Sequence, residues 1–103
     1  MFQVAIYLSG ETTMPTAGFI QNYIAQVEGF EVSILDEDGR PVNSNLDGLP
    51  AYWYQRAAPN NWTVDNWYES RFSQIYPGFS VTVWLTDGRP APWNMRLANV
   101  REW

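Results

Sequence analysis

Gly29-Phe30-Glu31-Val32-Ser33-Ile34, running on to Asp38-Gly39-Arg40-Pro41 and Asn45, returns forty-nine residues later without a gap as Gly78-Phe79-Ser80-Val81-Thr82-Val83, Asp87-Gly88-Arg89-Pro90 and Asn94. Eight of the seventeen aligned positions are identical. A self-match at a fixed offset is read before any single motif, because each copy stands for one structural unit. Two copies in 103 residues are too few for a solenoid, so the stretch points to one domain with two similar halves, residues 1–49 and 50–98.

Each copy alternates apolar and polar residues with period two and then meets Asp-Gly, which is a half-buried strand closed by a tight reversal. Working outward, Phe2, Val4, Ile6 and Leu8 alternate with Gln3, Ala5 and Tyr7, which predicts a first strand over 2–8. Phe19, Ile20, Tyr23, Ile24 and Val27 form an apolar stripe, predicting a helix that opens at Pro15 or Thr16 and ends at Gly29. In the second half, 51–56 reads as a strand, and Tyr68, Phe72, Ile75 and Tyr76 mark a helix from Val64 or Asp65 to Tyr76, with Asp65 as N-cap. The segment from Trp93 to Val100 reads as a returning hairpin arm.

The order β-α-β-β-α-β, repeated by the offset, predicts a ferredoxin-like α+β sandwich. Two helices would cover one face of a four-stranded antiparallel sheet. Carrying the strand phase over by forty-nine residues turns Trp53 and Gln55 inward and Tyr52, Tyr54 and Arg56 outward. The uncovered face would then carry Tyr7, Tyr52, Tyr54, Arg56, Trp84 and Leu35 as one aromatic patch.

Composition narrows the chemistry. With no Cys, no His and no Lys, thiol and histidine catalysis, zinc sites and Schiff-base chemistry are excluded, and nothing in the sequence implies a metal or cofactor. The net charge of −5 opposes binding to phosphate backbones and favours a protein, a small molecule or a basic surface as partner. No apolar run approaches the ~18 residues that a spanning helix needs. Met1-Phe2-Gln3-Val4 lacks the basic flank of a signal peptide, so the expectation is a cytoplasmic protein without a membrane contact.

Three uses of the aromatic face follow. The first is a protein-binding module, self-associating as a homodimer through that face or engaging a basic, nucleic-acid-binding protein through an acidic corner of Glu28, Glu31, Asp36, Glu37 and Asp38. Trp, Tyr and Arg dominate interface energetics and Lys is depleted from interfaces, which suits this chain. The second is a dimeric α+β barrel. Asn61, Trp62, Trp67 and Arg71 supply side chains of the kind found in the cofactor-free oxygenases that this composition resembles, and the resemblance implies a small-molecule pocket. The third is RNA recognition. Ile6-Tyr7-Leu8-Ser9-Gly10 resembles the first-strand motif of the RNA-recognition-motif family, and Tyr52 with Tyr54 falls where that family places its stacking aromatics. The third-strand motif departs from the family, with Pro50 at its leading basic position and its glycines missing, and acidity opposes the reading. Protein binding is the first expectation.

Overall fold

The first helix, α1, is Ala17–Glu28. It starts because Thr16 Oγ1 accepts from the Phe19 amide at 3.2 Å, and it stops because Gly29 takes φ 83°, from which its N–H reaches the Ala25 carbonyl. In the computed structural model, which describes residues 15–102, the buried face of α1 is Ala17, Ile20, Ile24 and Glu28, and Phe19 points outward. The strand expected over 2–8, and Tyr7 with it, lies outside the described residues.

β1 (Glu31–Leu35) and β2 (Ser80–Trp84) pair antiparallel. In both, the alternation expected from sequence holds: Val32, Ile34, Val81 and Val83 are buried. Ser33 faces Thr82 at the centre of the ribbon, and those two residues are forty-nine apart. The same offset exchanges the outer pairs, Glu31 with Trp84 and Leu35 with Ser80, so a local pseudo-two-fold axis passes through the Ser33–Thr82 pair. Each strand is followed by the same reversal. The Asp36 amide donates to the Arg40 carbonyl at 2.8 Å and the Leu85 amide to the Arg89 carbonyl at 2.8 Å. Gly39 and Gly88 take φ 80° and 89°, the left-handed conformation these turns require.

The second helix, α2, covers residues 64–75, winding as α-helix over Val64–Trp67, as π-helix over Tyr68–Phe72 and as α-helix again over Ser73–Ile75. Its N-cap is Thr63, whose Oγ1 accepts from the Asn66 amide at 3.1 Å while Asn66 Oδ1 accepts from the Thr63 amide at 3.0 Å. Asp65, expected as the cap, instead sits in the first turn, where its charge complements the helix dipole. The π-turn has a packing consequence. Trp67 and Phe72 are both fully buried although an α-helix would set positions five apart about 140° from each other.

The two helices begin alike. The first-turn amides of α1 donate to Leu46 and Ser44 carbonyls (2.7 and 2.9 Å), and those of α2 to Met95 and Trp93 carbonyls (3.0 and 2.9 Å). The closing element is α3 (Leu97–Glu102), which buries Leu97 and Val100 and donates from its Leu97 and Ala98 amides to the Trp62 and Asn60 carbonyls at 2.8 and 3.1 Å. A helix therefore replaces the hairpin arm expected from Trp93 to Val100.

Among the described residues the sheet has two strands, not four, and three helices rather than two pack with it, so the ferredoxin-like sandwich is not formed. The molecule is a small compact α+β domain. Residues 51–56, expected as a central strand, are irregular. The physical reason is that side chains satisfy the backbone here: Tyr23 Oη donates to the Tyr54 carbonyl at 3.0 Å, and Arg71 Nη1 to the Arg56 carbonyl at 2.7 Å. No helix among the described residues is long and apolar enough to cross a membrane.

Candidate functional site

The last residue of α1 carries a carboxylate on the helix's apolar face, and Glu28 is 0% exposed. An unpaired buried carboxylate is prohibitively costly, so partners must converge on it. Glu28 Oε2 accepts from Tyr52 Oη at 2.5 Å and from Arg71 Nη1 at 2.6 Å. Glu28 Oε1 accepts from the Ala58 amide at 2.8 Å and lies 3.4 Å from Arg101 Nη2. Four donors therefore fill both oxygens, which leaves the group a fixed acceptor rather than an open ligand site. The C-terminal end of a helix is the unfavourable pole for an acid, and the two guanidinium groups offset that cost.

The network extends one step further on each side. Trp67 Nε1 donates to Tyr52 Oη at 3.0 Å, so that hydroxyl both accepts and donates. Burial first, then the Glu28 charge and its hydrogen bond, push the Tyr52 hydroxyl far above the ordinary tyrosine range. Arg101 donates from Nε to the Glu28 carbonyl at 2.7 Å and from Nη1 to Asn60 Oδ1 at 2.6 Å. Burial lowers its pKa; the Glu28 charge works against that and Arg71 with it. Residues from α1, the 49–62 segment, α2 and α3 thus meet at one carboxylate.

On the outer side of this hub stands an aromatic and cationic platform. Arg71, tied to Glu28 below, lays its guanidinium over the Tyr54 ring at 4.2 Å and faces Trp62 at 5.8 Å. Trp53 rests against Tyr54, centroids 5.6 Å apart at 33°, and remains 54% exposed. Tyr23, bonded to the Tyr54 carbonyl, leads onward to a hollow of about 130 Å³ on α1 lined by Phe19, Asn22, Tyr23 and Gln26.

Among the described residues the expected sheet-face patch does not assemble. Tyr52 is 1% exposed, the reverse of its expected outward phase, and Trp53 is out where an inward side chain was expected. Tyr54 and Arg56 belong to the 49–62 segment rather than to a strand. Leu35 and Trp84 share one ribbon face but sit at its opposite ends, with Trp84 Nε1 donating to Ser33 Oγ at 2.8 Å. The acidic corner also divides, because Glu31 begins β1 and Asp36 follows its end, about 17 Å away at 3.3 Å per residue. Asp36 Oδ1 is engaged by its own turn, accepting from the Asp38 and Arg40 amides at 2.9 and 3.0 Å. Glu37 and Asp38 are exposed beside it.

Of the proposed pocket set, Trp67 is interior and Arg71 is bonded to Glu28, while Asn61 is exposed and its carbonyl accepts from Arg96 Nη1 at 3.1 Å. Glu28 is the member of the expected acidic corner that the structure instead buries. The signal was there: it continues the Ile20, Ile24 spacing of the buried stripe by four more residues. Comparison of the chain with protein-family models, with curated proteins and with solved structures gives no match.

Proposed function

We propose that this protein is a protein-binding module whose contact surface is centred on Trp53 and flanked by Tyr54 and Arg56. The exposure of Trp53 on a rigidly backed aromatic platform carries the reading. Trp, Tyr and Arg in a cluster are the residues from which interface hot spots are made, and a platform fixed before binding loses little entropy on docking. The partner class is a basic protein surface. The net charge is −5, and because Arg71 and Arg101 turn inward against a single carboxylate, the outer surface is more acidic than the composition alone indicates.

The direct test compares wild type with Trp53→Ser as bait in an extract of the native source, after circular dichroism shows that both are folded. The expected result is one or more basic proteins held by wild type and released by Trp53→Ser. Partners retained equally by both would remove Trp53 from the surface. Light scattering on the same samples reads self-association, and a dimer lost in Trp53→Ser would make a second copy the partner.

A further inference from the structure

Trp93 is 45% exposed and is not part of the Trp53 platform. Its ring rests against that of Tyr68 in α2, centroids 5.3 Å apart at 75°, and its carbonyl accepts from the Asp65 amide at 2.9 Å. Asp65 and Tyr68 stand three apart in the helix and so share one of its faces, which sets the exposed Asp65 beside the indole. Trp93 also forms one wall of a cavity of about 290 Å³, lined among the described residues by Leu35, Val64, Ser80, Thr82 and Pro90, among others. Pockets that hold whole small molecules run from about 300 to 1,000 Å³, so this one suits a single long side chain. The surroundings select its charge. Asp65 adjoins the Val64 and Trp93 end, and Leu35 runs on into Asp36 and the exposed Glu37 at the other. Arg89, just before Pro90, is already paired with Asp87 at 2.7 Å. An apolar side chain would use only the walls, whereas a cation with an aliphatic stem is attracted to the indole ring and to the carboxylate at once.

We propose that this cavity receives the side chain of an arginine presented by a partner, with the methylenes against Pro90 and the Trp93 ring and the guanidinium on Asp65. The site is separate from the Trp53 platform, and the inference does not depend on it. Long charged side chains bury their stems along apolar walls and keep the charged head at the surface, which is the arrangement that the cavity and Asp65 offer together. Arginine fits better than lysine because its planar guanidinium stacks on an aromatic ring while the same fork engages a carboxylate through two parallel hydrogen bonds. The net charge of −5 draws such a group toward the protein at long range.

The test is a nuclear magnetic resonance titration of the intact, isotope-labelled protein with Nα-acetyl-arginine amide and with Nα-acetyl-citrulline amide, which has the same shape and no charge. The arginine probe should shift the Trp93 indole N–H and the Ser80 and Thr82 amides saturably, and leave the Trp53 indole where it was. The citrulline probe should bind at least about fivefold more weakly, the loss expected when the ion pair and the cation–ring contact are both removed. Asp65→Asn keeps the size of an exposed side chain, and it should weaken binding of the arginine probe by about threefold. Added salt should weaken binding to wild type in the same direction. No saturable shift at Trp93, equal binding of the citrulline probe, or undiminished binding by Asp65→Asn overturns the proposal. So do shifts confined to Trp53 and Tyr54, which would move the cationic group to the platform and leave this cavity without a ligand.

Discussion

The two halves share a strand, a turn and a twelve-residue helix, and they differ in what the helix supplies. α1 is regular, and its stripe ends in the buried Glu28 while Gln21 seals the edge of β1. α2 carries a π-turn that sends Arg71 to meet Glu28, and a cavity of about 290 Å³ lies between its start and β2. The duplicated strands and turns therefore act as a frame, and the non-identical helices give each half its chemistry. One supplies the anion and the other the cation of the hub that holds the 49–62 segment in place.

Breaking that division at its centre should have the largest effect. Glu28→Ala leaves two inward-turned guanidinium groups and the Ala58 amide without their acceptor, and should cost about 3–5 kcal/mol in urea unfolding. Against a domain stability of about 5–15 kcal/mol, that is a large share of the total. Glu28→Gln, which keeps the shape and an acceptor oxygen, should fall between wild type and Glu28→Ala.

Tyr52→Phe comes next, at about 1–3 kcal/mol, because the Trp67 indole N–H and one Glu28 lone pair lose their buried partner. A pH profile tests the same contact. The folded-state pKa of Tyr52 is raised above its unfolded value, and burial raises that of Tyr76, so folding opposes their ionisation. Their contribution to stability is complete below about pH 10, the ordinary tyrosine value, and is lost as pH rises above it. Wild type should lose stability steeply on the alkaline side, and a Tyr52→Phe, Tyr76→Phe double variant should show a flatter limb.

The smallest expected effect sharpens the comparison between edges. Gln21→Ala should remove the acceptor of the Ile34 amide, costing about 1 kcal/mol and speeding Ile34 exchange without changing that of Val83. Equal acceleration at both positions would mean that the two edges are not independent.

How far the sequence could be read follows from the same division. β1 and β2 were legible because Phe30, Val32, Ile34 and their copies alternate apolar with polar, which fixes phase without ambiguity, and Asp-Gly fixes where each strand reverses. Ala51-Tyr52-Trp53-Tyr54 offered no such contrast: three consecutive aromatics suit either phase, and the one that wins is decided by Tyr52 Oη reaching a carboxylate twenty-four residues earlier in the chain. The π-turn was hidden for a related reason, since Trp67 and Phe72 fit one face only if the helix is wound more loosely than the periodicity assumes. α3, six residues long, is too short to print a helical period. The platform was half visible, with Tyr54, Arg56, Trp62 and Arg71 singled out by residue type, while Trp53 was assigned to the core by the carried-over phase.

A buried carboxylate, not a strand ladder, fixes the segment bearing the platform. Ala58 reports on this directly, because its amide donates to Glu28 Oε1 from a segment without regular structure. Its hydrogen-exchange free energy should equal the global unfolding free energy measured on the same sample, and should fall selectively in Glu28→Gln. An Ala58 amide that exchanges as fast as the exposed Arg56 and Ala57 beside it would mean that Glu28 does not hold the segment.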